Sequence, residues 1–154
     1  MPTQVTYPIA GSCQCGQVTY SLKTAPLVIA ACHCIDCQKL SASAFSLTLV
    51  CPTDQVEFHG QLKQWERLAE SGNRNQAFFC PECGNRIYHL NPEQPKLIKL
   101  KGGTLSNTDV IQPNVHVWIS RKQKWLEIPD GIQTFEQQPP KEVFMKAIQQ
   151  EETA

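Results

Sequence analysis

Seven of the eight cysteines in this 154-residue chain fall into three tight clusters: Cys13-x-Cys15, Cys32-x-Cys34-x2-Cys37 and Cys80-x2-Cys83. Thiolates this close in sequence can close on one metal ion, and a fold that must gather them is constrained at several distant points of the chain. Seven also divides into four and three. Four cysteines make a closed, tetrahedral structural site, whereas three protein ligands leave one position for water or substrate. The count raises the expectation of one metal for folding and another for chemistry. Zinc is the first expectation because all-thiolate sets typify structural zinc; iron, as a cluster or a single-ion centre, is the competitor.

A chain of this length makes one domain with a modest core. Fourteen basic residues balance fourteen acidic ones, so there is no electrostatic footprint for nucleic acid or an anionic membrane. The first eleven residues lack the cationic start and apolar run of a signal peptide. No stretch approaches the roughly 18 consecutive apolar residues of a membrane span. The expectation is a cytoplasmic protein without a nucleic-acid or membrane partner. In that reducing setting clustered cysteines read as metal ligands rather than as a disulfide framework.

The remainder of the sequence reads mainly as β-strands. Val18, Tyr20 and Leu22 alternate with Thr19 and Ser21; Phe45, Leu47 and Leu49 alternate with Ser46 and Thr48. Ile98 and Leu100 alternate with Lys99 and Lys101, and Val115, Val117 and Ile119 with His116 and Trp118. Turn signals separate these runs at His59-Gly60, Ser71-Gly72-Asn73, Asn91-Pro92, Gly102-Gly103 and Asp130-Gly131. Many short segments of this kind fit an antiparallel β domain. Helix is expected only as a short turn over residues 35–40 and as a terminal helix over residues 141–150, after the break at Pro139-Pro140.

Cys80-Pro81-Glu82-Cys83-Gly84 has the form of a zinc knuckle, with Gly84 free to take the positive φ of a tight turn. It supplies two ligands, so a closed site needs two more. In an extended segment residues i and i+2 project to one side, which lets Cys13 and Cys15, and Cys32 and Cys34, chelate as pairs. Spacing leaves the partition open: Cys13 and Cys15 with the knuckle, or the middle cluster with the knuckle, or a fourth ligand recruited from His33, His59 and Cys51. Cys51 continues the apolar face of Phe45, Leu47 and Leu49 and is expected in the core. His33 lies between two ligands that point one way, so its ring is expected to point the other.

Gly11-Ser12-Cys13-Gln14-Cys15-Gly16, Cys32-His33-Cys34-Ile35-Asp36-Cys37-Gln38-Lys39, Ser43-Ala44-Phe45 and Phe79-Cys80-Pro81-Glu82-Cys83-Gly84 together resemble the glutathione-dependent formaldehyde-activating enzyme family. The resemblance continues through Gly102-Gly103-Thr104-Leu105, His116-Val117-Trp118-Ile119-Ser120, Trp125-Leu126-Glu127 and Asp130-Gly131. One departure is Gln38, which stands where a basic residue commonly follows the third middle cysteine. The resemblance covers residues 11–135, leaving an N-terminal extension, 1–10, and a C-terminal tail, 136–154. It implies an Mss4-like fold of folded-over antiparallel sheets stapled by zinc. It also implies two zinc ions per chain: a structural one on Cys13, Cys15, Cys80 and Cys83, and a catalytic one on Cys32, Cys34 and Cys37.

The activity so implied is that of a carbon–sulfur lyase acting on thiol–aldehyde adducts such as S-(hydroxymethyl)glutathione. A soft, open zinc suits a thiolate ligand in its fourth position. His33, Phe45, His116 and Trp118 are the expected substrate contacts, with His116 and Trp118 sharing one strand face; Lys39, Lys101 and Arg121 are candidate partners for glutathione carboxylates. Two alternatives stand beside this reading. One is a non-catalytic zinc scaffold of the same fold, which would have no need of an open site. The other is a thiol–disulfide oxidoreductase at Cys34-x2-Cys37, in which Cys32 would be superfluous.

Overall fold

Alternation of apolar and polar residues is realised as eleven strands in a computed structural model that describes residues 5–140 and Glu142. A small sheet contains β1 (Ile9–Ser12), β2 (Thr19–Leu22) and β5 (Val56–His59) in the order β1-β2-β5. The large sheet contains β3 (Val28–Cys32), β4 (Ser46–Pro52), β6 (Lys63–Leu68), β7 (Arg74–Phe79), β8 (Arg86–Leu90), β9 (Leu97–Lys101), β10 (Val115–Val117) and β11 (Gln133–Thr134). Its order is β11-β10-β3-β4-β9-β8-β7-β6. Pairing is antiparallel except where β10 lies parallel to both β3 and β11. The helix α1 (Ile35–Ser41) follows β3 directly, as its sequence suggests. The expected terminal helix over 141–150 lies outside the described residues but for Glu142.

The period of two assigns each residue of the large sheet to one of two faces. Leu49, Cys51, Ile98 and Leu100 point to one side, where they pack with Ile9, Val18, Tyr20, Leu22 and Val56 from the small-sheet region. This interface between the sheets is the main core, and Cys51 is fully buried in it. Val28, Ala30, Val50, Val115 and Val117 point to the opposite side and form a second cluster, against which Cys32 and Cys34 pack. Lys99 and Lys101, cross-strand partners of Val50 and Thr48, share that second side. A bulge in β8 adjusts the pattern: Phe78 pairs with Tyr88 but Phe79 with Arg86, so Ile87 is an extra residue. Ile87 thereby joins the main core, and the Arg86 guanidinium lies over the rings of Trp65 and Phe79 at 5.6 and 5.8 Å.

At Gly11 the main core admits no side chain. A Cβ there would collide with the ring of Tyr20, which is buried and held by a 2.6 Å hydrogen bond between its hydroxyl and Thr104 Oγ1. Gly11→Ala is expected to cost about 1–3 kcal/mol, the usual range for overpacking, measured as a shift of the urea midpoint with metal content unchanged.

Candidate metal centres

One loop and a knuckle converge at the first centre. Cys13 and Cys15 lie between β1 and β2, and Cys80 and Cys83 lie in the turn between β7 and β8. Gly84 holds that turn at φ 76°, and its N–H donates to the Cys80 carbonyl oxygen at 2.8 Å. The four sulfurs lie within 4.8 Å of one another. Cys13 Sγ to Cys15 Sγ is 3.6 Å and Cys15 Sγ to Cys80 Sγ is 3.7 Å. A tetrahedral zinc with bonds of about 2.3 Å sets its sulfurs roughly 3.8 Å apart, so the donor set and its spacing fit that ion. Outer hydrogen bonds orient the sulfurs as a metal site requires: Val18 N–H donates to Cys13 Sγ at 3.3 Å and Gln17 Nε2 to Cys80 Sγ at 3.2 Å. Burial alone would raise the Cys80 thiol. The backbone N–H groups of Cys83 and Glu82 and the Gln17 amide outweigh it, bringing Cys80 down to about 6.

The second centre forms where β3 runs into α1. Cys32 ends the strand, Cys34 is the N-cap of the helix and Cys37 sits in its first turn. The Cys37 N–H donates to Cys34 Sγ at 3.3 Å, the bond expected of an N-cap side chain. These three sulfurs also lie within 4.8 Å of one another. Among the described residues no fourth cysteine, histidine or carboxylate joins them. His59 is exposed and 3.4 Å from Glu57, Cys51 is in the core, and His33 faces away. Gln38, at the position of the departure, donates to the carbonyl oxygens of His33 and Arg121 at 2.9 and 3.0 Å. It ties the cluster to the loop after β10 through a neutral amide.

Charge at the second centre is arranged around thiolate. Hydrogen bonds from Cys32 and Cys37 hold the Cys34 thiol down at about 2, aided by the Cys37 N–H and the Arg67 guanidinium. Cys32 is pushed up, chiefly by its bonds to Cys34 and Cys37. Cys37, though lowered by its bond to Cys32, is pushed up to about 11 by Cys34 and burial. Lys101, a candidate partner for glutathione carboxylates whose position alternates with Ile98 and Leu100, is buried and donates to Ser46 Oγ at 3.0 Å. Burial brings it down to about 8 against the opposing charges of Cys37 and Cys32. Arg67 pairs with Asp36 at 3.1 Å, beside Cys37 in sequence. Three thiolates around a divalent ion carry a net negative charge, and these two cations are placed to offset it.

A cavity of about 150 Å³ opens at the three cysteines, with Arg67, His89, Asn91, Lys99 and Trp118 in its wall. Trp118 is the one of the four expected substrate contacts that lines it. His33, Phe45 and His116 project from the other side of the sheet and pack together: the His33 ring stacks on His116 at 5.1 Å and is tilted 50° to Phe45 at 5.3 Å. His33 Nε2 and His116 Nδ1 are 2.8 Å apart. The expected shared face of His116 and Trp118 is not found. Trp118 takes the left-handed conformation, φ 57° and ψ 39°, which ends β10 and turns its side chain into the cluster of Val115 and Val117. His116→Phe should cost about 1–3 kcal/mol, because it leaves His33 Nε2 buried without its partner; chemical denaturation at fixed zinc content measures this.

Arg67 and His89, like Asn91 and Lys99, are wall residues that sequence reading missed. Arg67 lies in an edge strand with no clean alternation. His89 sits between Tyr88 and Leu90 in β8, with Nδ1 buried and unpaired. Burial, with the charges of Lys101 and Lys99, holds it well below the usual histidine range, so it is neutral. A cavity of about 650 Å³ lies elsewhere, beside Cys13, Cys83 and Lys101, with Ser12, Ser41, Ser46 and Ser106 in its wall.

The sequence profile of the family described as glutathione-dependent formaldehyde-activating enzyme matches residues 8–121. A solved crystal structure of a Rhodobacter sphaeroides protein, a structural-genomics target, superimposes with a TM-score of 0.52 at 16% identity. The match covers 68% of this chain and 92% of that one, and at this identity it shows a common fold. No curated protein matches the sequence. Among the described residues no helix is long and apolar enough to cross a membrane.

Proposed function

The chain belongs to the glutathione-dependent formaldehyde-activating enzyme family, and from that premise we propose a zinc-dependent carbon–sulfur lyase that makes or cleaves S-hydroxymethyl adducts of thiols. The observation that carries the reading is the three-cysteine cluster, with no fourth ligand among the described residues, opening onto a cavity. A scaffold would gain nothing from that opening. In this proposal Cys32, Cys34 and Cys37 hold the catalytic zinc, and Cys13, Cys15, Cys80 and Cys83 hold a structural one.

When bound, a thiolate-held zinc supplies a soft Lewis-acid position that keeps a thiol deprotonated near neutral pH, below its free pKa of about 8.5. In the reaction the thiol sulfur forms a bond to the aldehyde carbon while the carbonyl π pair moves to oxygen. The proton that leaves sulfur ends on that oxygen, and the reverse step restores thiol and aldehyde. Nothing is oxidised or reduced. Trp118 keeps one wall of the cavity apolar and limits water. Lys101 and Arg67 moderate the negative charge of the three thiolates. In this proposal neutral His89 of the cavity wall hydrogen-bonds the oxygen that gains or loses the proton.

Two results test this reading. Elemental analysis should find about two zinc per chain, the closed and the open site each filled; a value of one would remove the open site. A screen of S-hydroxymethyl thiol adducts should find turnover, which His89→Leu lowers about 100-fold, the loss typical of a general acid or base, with zinc content intact. Absence of turnover on every adduct contradicts the reading.

A further inference from the structure

We propose that residues 135–140, which follow the family-matched region, determine which thiols reach the three-cysteine centre. This inference rests on the thiol–aldehyde reading of that centre and adds to it a class of substrate and the part of the chain that selects it.

The cavity at the cysteines is too small for most of a substrate. About 150 Å³ is roughly the share of five liquid waters, enough for a sulfur and a one-carbon unit. A second cavity, of about 580 Å³, adjoins it and shares Asn73, Lys99, Trp118 and Gln138 in its wall. Together they make a channel of the size that binds small molecules, about 300–1,000 Å³. The body of a thiol whose sulfur reaches the cysteines has this adjoining cavity to occupy.

Its outer wall is Gln137, Gln138, Pro139 and Pro140, all beyond the family match at residues 8–121. The segment is fixed in place from within. β11 runs parallel to β10; the Phe135 N–H donates to the His116 carbonyl oxygen at 2.9 Å, and the Ile119 N–H to the Phe135 carbonyl oxygen at 3.1 Å. The Ser120 N–H donates to the Glu136 carbonyl oxygen at 3.2 Å. Phe135 packs against the cluster that contains Trp118, and Pro139 is buried. Two successive prolines restrict φ and stiffen the wall.

The polar surface of this channel mixes amides with charges: Asn73, Gln94 and Gln138 line both cavities together with Glu70 and Lys99, with Arg67 and Arg74 inside and Gln137 outside. A few polar groups of this kind orient a bound molecule. The channel therefore selects a thiol with an extended polar body in preference to a simple alkyl thiol.

The test uses the full-length, zinc-loaded protein and compares the hydroxymethyl adducts of glutathione and 2-mercaptoethanol, the second of which has no extended polar body. Gln138→Trp narrows the channel at the junction, and the ratio of kcat/KM for the glutathione adduct to that for the mercaptoethanol adduct should fall about tenfold. Gln138→Ala removes only the amide and should lower the ratio less. A ratio that Gln138→Trp leaves unchanged overturns the proposal. Binding of S-methylglutathione, followed by tryptophan fluorescence, reads the channel without turnover because its sulfur is already capped. It should weaken about tenfold in Gln138→Trp, and equal binding to both proteins overturns the proposal. If the wild type turns over no adduct, the lyase reading alone fails and the binding comparison decides this one.

Discussion

Cys80→Ser is expected to unfold the chain. Cys80 is fully buried where β7 enters the knuckle, and its sulfur lies 3.7 Å from that of Cys15, 65 residues earlier. The four-cysteine centre thus fastens the start of the small sheet to the large one. Zinc binding at structural sites is worth about 10–16 kcal/mol in small zinc domains, and the net stability of a whole domain is about 5–15 kcal/mol. A serine oxygen is a poorer ligand for zinc and leaves the Gln17 amide without its sulfur partner. The loss therefore rivals everything the domain has in reserve. Far-ultraviolet circular dichroism and urea titration should show a chain without a cooperative transition. Glu82→Ala, exposed between the same two ligands, should keep the wild-type midpoint; a folded Cys80→Ser with that midpoint would contradict the structural role.

The second large effect separates chemistry from folding. Cys34→Ser should leave the fold intact while lowering turnover by about 1,000-fold or more, the scale of losing a principal stabilising group in an active site. Cys34 caps α1 by accepting the Cys37 N–H. Serine is among the best N-cap residues, so its oxygen can take over that bond. Main-core packing between the sheets is untouched, because Cys34 packs on the opposite side. The expected protein has a near wild-type urea midpoint, about one zinc per chain in place of two, and no measurable lyase activity. Joint loss of fold and activity would show that the two centres do not divide their labour.

β2, β4, β9 and β10 were legible because apolar and polar residues alternate along them, as Leu47, Leu49 and Cys51 do in β4 and Ile98 and Leu100 in β9, although both faces of β4 are buried. β6 was illegible for the converse reason: at the sheet edge, Lys63-Gln64-Trp65-Glu66-Arg67-Leu68 is exposed along nearly its whole length and carries no period. The parallel pairing of β10 with β3 joins segments more than 80 residues apart and leaves no local trace. Spacing identified the ligand clusters, yet their partition came from family resemblance, since no short-range rule links Cys13 to Cys80.

At the site, two substitutions of context for pattern explain what sequence reading missed. Trp118 breaks its own alternation by adopting a positive φ, so it lines the cavity while His116 lies on the other side of the sheet. Lys101 has the pattern of a solvent-facing strand residue, but that side of the large sheet carries the three-cysteine centre, and the ammonium is buried near thiolates. Neither the facing layer nor the charge of a metal cluster is written into a local run of five residues.

The most direct test of the account is the exchange of label between free formaldehyde and S-(hydroxymethyl)glutathione, followed by two-dimensional exchange spectroscopy at neutral pH. Zinc-loaded wild-type protein is expected to accelerate exchange in proportion to its concentration, while Cys34→Ser at the same concentration leaves it at the rate without protein. Equal acceleration by both proteins, or by neither, would contradict the claim that the three-cysteine centre performs thiol–aldehyde chemistry.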